Sequence, residues 1–507
     1  MRKWTLMVLI GAAGSLVRAA PVAAQGYRIR LDTRFQSVTY RGLAYDSILQ
    51  TAVQTGSNGG FVTPDGYAAF CAPAATYCSF YRSGAGQSAT PLVETVDAGL
   101  WGFGVPGLQL RVTARGTSDL GGAAWPGTEP PTQLLEGYAA YDKPNVSAQL
   151  GRTHEVTRFG WVGFDGARLE YRPLGRTLRV FGYGGWGLAR SYPLPVTSAD
   201  LNPLADTLPP DERQLVLGGG VGVFFPNAFE GRLVYQREDR ALFDTTVSER
   251  VAGDWNIQAS PTIRFRGGAD YDIAEAHWGK ADLALNYVAP NQRLQFTLGG
   301  RRYRPYFDLY TIWAAFNPTP YSAADASAAW TVIDGVGLTA RGEYYNYDET
   351  NVSTALVSTR SDGWRGSLVA SYMRLANWAF SAGIDRDVGP GASSQGYSAA
   401  ISFHPSDALS VAIDGSRMQR PLEFRFDDSR LWSYGLRLDY QAVPGLRLMA
   451  DARGYSEDRG TDRLDAGNVS FSELRVNLGA TLVFGSANDA RRLHPAILRI
   501  PDVRRPQ

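Results

Sequence analysis

The chain has 507 residues, with 50 Lys and Arg against 49 Asp and Glu, and only two cysteines. A charge balance near zero, without a basic face or run, argues against nucleic acid as a partner. Behind the first residues no window of about 18 consecutive apolar residues occurs, so the mature chain cannot cross a bilayer as helices.

Met1-Arg2-Lys3-Trp4 carries positive charge into the apolar run Thr5 to Val17, and the small residues Ala19 to Ala24 follow. This is the three-part layout of a secretory signal peptide, residues 1–24, with Val22 and Ala24 at the minus-three and minus-one positions of the cut. The mature chain is thus expected to be exported. Residues 25–91 hold a candidate first strand, Tyr27 to Tyr40, and then a Cys-containing loop or small plug-like segment at 41–90. Cys71 and Cys78 lie close together where oxidation is allowed, and the expectation is a local disulfide, since metal binding would want more ligands nearby.

From about residue 92 the apolar positions recur every second residue in segments of roughly ten, the period of a strand with two unlike faces. Leu108, Leu110, Val112 and Ala114 alternate with Gln109, Arg111, Thr113 and Arg115. Leu294, Phe296 and Leu298 alternate with Arg293, Gln295 and Thr297, and Leu446, Leu448, Ala450 and Ala452 with Arg447, Met449, Asp451 and Arg453. Tight turns such as Val105-Pro106-Gly107, Phe225-Pro226-Asn227, Ala289-Pro290-Asn291 and Val443-Pro444-Gly445 are separated by longer loops, among them Gly116 to Pro131, Arg190 to Arg213, Tyr347 to Asp362 and Arg420 to Arg430. Strict short-long alternation is the mark of a meander with periplasmic turns at one rim and extracellular loops at the other. The fold expected is therefore all-β: a transmembrane antiparallel up-and-down β-barrel over 92–484 plus the first strand, about 22 strands within a range of about 20 to 24.

The candidate chemical motifs read as structure. Gly182-Tyr183-Gly184-Gly185-Trp186-Gly187 and Gly218-Gly219-Gly220-Val221-Gly222 lack the Lys-Ser/Thr ending of a phosphate loop, and glycine in a barrel strand permits curvature or the close approach of a bulky neighbour. His154, His277, His404 and His494 show no zinc-type spacing, so neither a metal nor a catalytic role is assigned and the chain is not expected to be an enzyme. The carboxylates in Ser456 to Asp465 stand beside Arg459 and Arg463, which would repel Ca²⁺. Trp101, Tyr138, Trp186, Tyr235, Trp278, Tyr287, Tyr344, Trp378, Trp432 and Tyr440, near strand ends, are expected to form aromatic girdles at the headgroup level, with sugar-binding stacks inside the pore as the alternative. The polar face is expected to line the lumen. Its candidates are Arg111, Arg115, Arg232, Arg264, Arg266, Glu343, Arg437, Asp439, Arg447 and Asp451, with a modest excess of arginine.

The last strand, Glu473 to Phe484, carries Asn477, Gly479, Leu482 and Phe484, a polar residue, a glycine and two apolar or aromatic residues ending in Phe. In this it resembles bacterial outer-membrane β-barrel proteins, a porin-like class, whose insertion signal has that form. The resemblance implies an outer-membrane location in a Gram-negative type of bacterium, contact with lipid and lipopolysaccharide, and recognition by the barrel-assembly machinery. Members of the class commonly stop at that Phe, whereas here a basic tail, 485–507, follows and is expected to be periplasmic. The functional expectation is a porin-like channel for small polar solutes, with no cofactor, its wide lumen partly plugged by the chain's own segments. The alternatives are a gated transporter or exporter, for a siderophore-like ligand or a polysaccharide, and a closed structural or surface-interaction barrel. The stretch before the barrel is too short for the usual plug of a TonB-dependent receptor, and the solute is not identified.

Overall fold

The computed structural model describes residues 26–55, 61–65, 67, 69–73, 75–121, 131–188, 214–240, 246–304, 319–348, 361–373, 377–389, 392–423, 426–459 and 471–486. The segment read as a signal peptide, the tail beyond 486 with His494, and most of the carboxylate-rich loop lie outside these residues. The first strands are β1 (Gly26–Leu49), β2 (Gln54–Thr55), β3 (Phe61–Val62), β4 (Ala69–Phe70), β5 (Tyr77–Ala89), β6 (Pro91–Trp101), β7 (Leu108–Asp119), β8 (Thr132–Asp142) and β9 (Val146–Thr157). Next come β10 (Gly160–Tyr171), β11 (Leu178–Gly187), β12 (Gln214–Phe225), β13 (Phe229–Arg240), β14 (Thr246–Gln258), β15 (Ile263–Asp272), β16 (His277–Val288), β17 (Leu294–Tyr303) and β18 (Tyr321–Ile333). The series ends with β19 (Val336–Tyr347), β20 (Asp362–Tyr372), β21 (Trp378–Gly389), β22 (Ala392–Ser406), β23 (Leu409–Glu423), β24 (Phe426–Val443), β25 (Leu446–Arg459) and β26 (Phe471–Gly485).

β1 and the twenty-one strands β6 to β26 form one antiparallel sheet in which each strand pairs with its neighbours in sequence. Closure is made by β1, which pairs with β26 on one side (Arg28↔Gly485 to Ser37↔Val476) and with β6 on the other (Gly26↔Trp101 to Phe35↔Leu92). A 22-strand barrel, as expected, is the result. With strands about 4.8 Å apart and tilted about 40°, such a barrel is roughly 40 Å across, too wide for wall side chains to fill.

The two faces separate as the alternation requires. Leu283, Leu298, Leu368, Leu448, Leu478 and Leu482 belong to one face and remain substantially exposed. Leu110 and Phe296 lie on that face, while Arg111, Gln295 and Arg447 point to the other. A chord decides which face is concave: Arg158, in the turn between β9 and β10, bonds to carboxylates on β14, β15 and β16. A side chain can bridge strands so far apart in the sheet only across the inside, so the polar face lines the interior.

Short turns close one end of the barrel, with Gly107 at φ 93° and Gly445 at φ 90° in backbone conformations that favour glycine. At the other end the strict short-long alternation breaks down. β9 and β10 are joined by Arg158-Phe159 alone, and β23 and β24 run to Glu423 and from Phe426, through most of the expected loop Arg420 to Arg430. The reason is length: β22, β23 and β24 have 15, 15 and 18 residues, against about 10 needed to cross a bilayer. Paired strand beyond the bilayer replaces loop.

The segment expected as a plug pairs in the same way. Past the closing ladder, β1 continues as a two-stranded ribbon with β5, from Val38↔Ala89 to Leu49↔Tyr77, with a bulge at Arg41/Leu43. One face of the ribbon is covered by a small core of Ala69, Cys78 and Phe80 with Ile48, Val53, Tyr67 and Cys71. Cys71 and Cys78 are bonded to each other. The Ser47 N–H, at 2.8 Å, and the Arg82 guanidinium, at 2.7 Å, hold the Asp46 carboxyl below its ordinary range.

The face assignment gives a paired test. Leu298→Arg should destabilise the folded barrel by about 2 to 4 kcal/mol, the cost of arginine at the bilayer midplane. Thr297→Arg, one residue away but on the inner face, should cost about 1 kcal/mol, because only its bond to Asn286 is lost. Urea titration of the two variants in lipid vesicles measures the difference, and a larger loss for Thr297→Arg than for Leu298→Arg would mean the faces are reversed.

Candidate conduction pathway

Ten residues at the β9–β10 tip leave the wall. The β8–β9 ladder ends at Gly137↔Arg152, and the β10–β11 ladder runs to Phe164↔Gly187 with a further bond from the Leu188 N–H to the Gly163 carbonyl, so 153–162 pair within their own hairpin. The hairpin folds onto the inner wall. Its Val162, with Phe164 at its base, joins Phe181 and Tyr183 of β11, Val216 of β12 and Val234 of β13 in a buried cluster, with Phe159 packed against it. The Phe164 and Tyr183 rings stack with centroids 5.5 Å apart.

Glycines make this fit possible. A Cβ on Gly218 or Gly220 of β12 would collide with the rings of Tyr183 and Phe181 respectively. Without Cβ atoms there, the two rings lie down on the neighbouring strand and form an apolar floor. The close-approach role expected of these glycines is thereby realised.

Arg158 fixes the tip. Its side chain is only 8% exposed and bonds to Asp254 of β14 at 2.8 Å, Asp270 of β15 at 3.3 Å and Asp282 of β16, and donates to the Gly268 and Lys280 carbonyls at 3.0 and 3.2 Å. A planar guanidinium with five donors suits such a junction. The Phe159 ring lies 4.8 Å from the Arg250 guanidinium. Beneath the hairpin runs a charge network: Arg168 holds Glu155 at 2.6 Å and Glu170 at 2.8 Å, Arg172 holds Glu170 at 2.7 Å, and Arg232 of β13 reaches Glu155 at 2.6 Å. Tyr183 donates to Gln236, and Gln236 to Glu238. With Val162 and Glu155 against the wall, the hairpin turns its other side, Val156 and Trp161, toward the open lumen, where both are more than half exposed.

All ten sequence candidates lie on the inner face, in separate stations. Arg111 bonds to Asp97 at 3.0 Å and Glu136 at 3.2 Å, and His154 stands 2.9 Å from Glu136. Arg115 lines the same hollow with Arg30, Asp32 and Arg34. Arg264 and Arg266 line a second hollow with Asn256, Asn286 and Thr297. Glu343 receives both Arg301 at 2.7 Å and Arg365 at 2.6 Å. Near the seam Arg447 pairs with Asp439 at 2.7 Å and Arg437 approaches Asp451 at 3.8 Å, while Arg232 belongs to the network under the hairpin. Among the described residues, Arg34, Arg115, Arg264, Arg266 and Arg341 have no carboxylate partner. Glu230, Asp325 and Asp385 have no cationic one.

Of the aromatic girdle, Trp186, Tyr235, Trp278, Tyr344, Trp378, Trp432 and Tyr440 are exposed on the outer face. Trp101 and Tyr138 depart from expectation. They are 5% and 7% exposed, share the inner face with Asp97 and Arg111, and Trp101 packs directly over Gly26. Arg158 was missed because it looks like an ordinary residue of a tight turn; its spacing from Asp254, Asp270 and Asp282 carries no periodic signal.

A closed ladder, an exposed apolar band outside and a charged interior are now together. The fold is that of a closed transmembrane antiparallel β-barrel of 22 strands. No family model matches the sequence, and no curated protein matches it. Among solved structures, the chain is similar to a BenF-like porin from Pseudomonas fluorescens Pf-5, at 10% identity, 91% of this chain, 100% of that chain and a TM-score of 0.40. It is also similar to OccK2 (OpdF) of Pseudomonas aeruginosa, at 11% identity, 91% and 99% coverage and a TM-score of 0.40. A third is OccAB3 of Acinetobacter baumannii, at 12% identity, 90% and 99% coverage and a TM-score of 0.36.

Removing the guanidinium tests the tether. Arg158→Ala leaves three carboxylates without their shared cation. Its cost should be about 2 kcal/mol at the hairpin seat, less than the roughly 3 to 5 of a fully buried pair because Asp254 is 45% exposed. In planar bilayers the variant should show larger and noisier unitary currents than the parent, and Arg158→Lys an intermediate level; three identical traces would dismiss the tether.

Proposed function

We propose that this protein is a passive outer-membrane channel for small polar solutes, narrowed on one side by its own β9–β10 hairpin. One observation carries the reading: the hairpin covers the inner wall from β11 to β16, while half-exposed charged side chains line the remainder, from β17 through β26 to β1. A hairpin is about 10 Å thick, a fraction of a lumen tens of Å wide, so it narrows the bore without filling it. Free inner arginines outnumber free inner carboxylates among the described residues, which favours anions slightly. The hairpin, rather than the 41–90 ribbon, is the obstruction in this reading. The same reading includes removal of 1–24 after export, lipopolysaccharide and lipid around the outer face, and assembly through the Asn477, Gly479, Leu482 and Phe484 signal.

Purified protein in planar bilayers should then conduct weakly, with a reversal potential shifted slightly toward anions in a salt gradient. Replacing Glu155 to Val162 by Asn-Gly should raise unitary conductance several-fold, since a two-residue turn closes an antiparallel pair without an inward tip. Removing the ribbon tip, Leu43 to Ser83, should leave conductance unchanged. Silence in all three proteins would favour a closed structural barrel, and current only after shortening the hairpin a gated transporter.

Assembly is tested separately. Phe484 lies opposite Ile29 in the ladder that closes the barrel. Phe484→Ala should lower the amount of heat-modifiable barrel recovered from outer membranes, whereas truncation after Ser486 should not; parent-level recovery of Phe484→Ala would remove the signal from the proposal.

A further inference from the structure

At the loop end of the interior, beside the hairpin's sector, four tyrosines converge on the inner face of β17, β18 and β19. Tyr321 stands 5.7 Å from Tyr303, 6.5 Å from Tyr345 and 5.4 Å from Tyr347 between ring centroids, and Tyr345 is 5.8 Å from Tyr347. The ring planes meet at 52° to 88°, so the cluster is a set of edges and faces and not a closed stack. All four rings are only half-buried. Tyr345 is held in place: a Cβ on Gly363 or Gly389 would strike its ring or hydroxyl, and its hydroxyl donates to Asp387 at 3.2 Å. Arg301 and Arg365 lie 5.7 and 5.5 Å from the Tyr321 and Tyr345 rings, and their shared partner Glu343 sits between them.

We propose that this tyrosine cluster and the basin below it form an entry site for a neutral saccharide. An aromatic girdle faces lipid, whereas these rings face the lumen, beside charged groups. A pyranose offers what the site lacks: an apolar C–H face for a tyrosine ring, and hydroxyls around its edge that both donate and accept. The basin is balanced in charge on its inner side, with Arg266, Arg301, Arg341 and Arg365 against Asp325, Glu343, Asp385 and Asp387. Such a lining serves polyols better than ions, because a carboxylate ligand would meet as many anions as cations. Fixed rings lose little freedom on binding, which preserves affinity at a site through which solute must also leave.

The inference deepens the channel reading, and its test is binding, which does not require conduction. Full-length protein folded in a non-glycosidic detergent is examined by saturation-transfer NMR with maltotriose as the probe, with 4-hydroxybenzoate and a polyethylene glycol of similar size as comparisons. Maltotriose should show saturable transfer, and Tyr321→Leu and Tyr347→Leu, each keeping apolar bulk while removing a ring, should weaken it about tenfold, the scale of one aromatic contact. Transfer from maltotriose no stronger than from polyethylene glycol, unchanged binding in both folded leucine variants, or preference for 4-hydroxybenzoate would overturn the proposal. Should one leucine variant fail to fold, the other decides. Maltotriose binding by a protein that passes no current would keep this site and discard the channel.

Discussion

Everything in this molecule depends on the ladder between β1 and β26. In hydrocarbon there is no water to accept or donate to a bare strand edge, and each unpaired backbone group costs several kcal/mol. Ten register pairs, Arg28↔Gly485 to Ser37↔Val476, join the ends of a chain whose partners lie more than 400 residues apart. Leaving that seam open would expose several unpaired groups on each edge, a cost of tens of kcal/mol, larger than the net stability of an ordinary domain. The outer side chains follow from the same solvent. Leucines and aromatics that would mark a soluble protein as sticky are here in their preferred medium.

Closure at this width creates the second problem, a large polar interior. Charges on the inner wall are answered mostly by neighbours one or two strands away, as in Arg111 with Asp97 and Glu136, or Arg301 and Arg365 with Glu343. Such pairs are weak in open water. Under the β9–β10 hairpin the surroundings change. Arg158, Glu238 and Arg250 are nearly buried, and each must be bonded because a lone buried charge is costly. Burial turns an ordinary set of wall charges into a seat with one favoured position.

Much of the barrel was legible in the sequence because a two-residue period survives any uncertainty in strand ends. Leu298 and Thr297 declare their faces without knowledge of the neighbours, and Tyr27 to Tyr40 fits as the strand that makes the number even. Cys71 and Cys78 were legible because short spacing in a chain read as exported leaves few options. The inward hairpin was not. Arg158 finds its partners 96, 112 and 124 residues away, a relation set by barrel curvature that no local pattern records. Trp101 and Tyr138 were misplaced for a related reason: position near a strand end suggests a girdle, but parity decides the face, and each sits in phase with Arg111's side of the sheet. The short-long alternation misled where strands outrun the membrane, since a paired ribbon and a loop have similar polarity.

The glycines of β12 connect these two levels. Read locally, Gly218 and Gly220 weaken a strand, because each gives up packing and conformational restraint. In the barrel they let Tyr183 and Phe181 lie flat, and the flat rings give Phe159, Val162 and Phe164 an apolar surface to rest on. Side chains at those positions would lift the rings and leave the hairpin facing Gln236, Glu238 and Arg232, polar groups it could cover only at a desolvation cost. The tip would then have little reason to leave the wall, and Arg158 would stand far from its aspartates. The inward seating of the hairpin is thus written as much in a glycine run on β12 as in the hairpin itself.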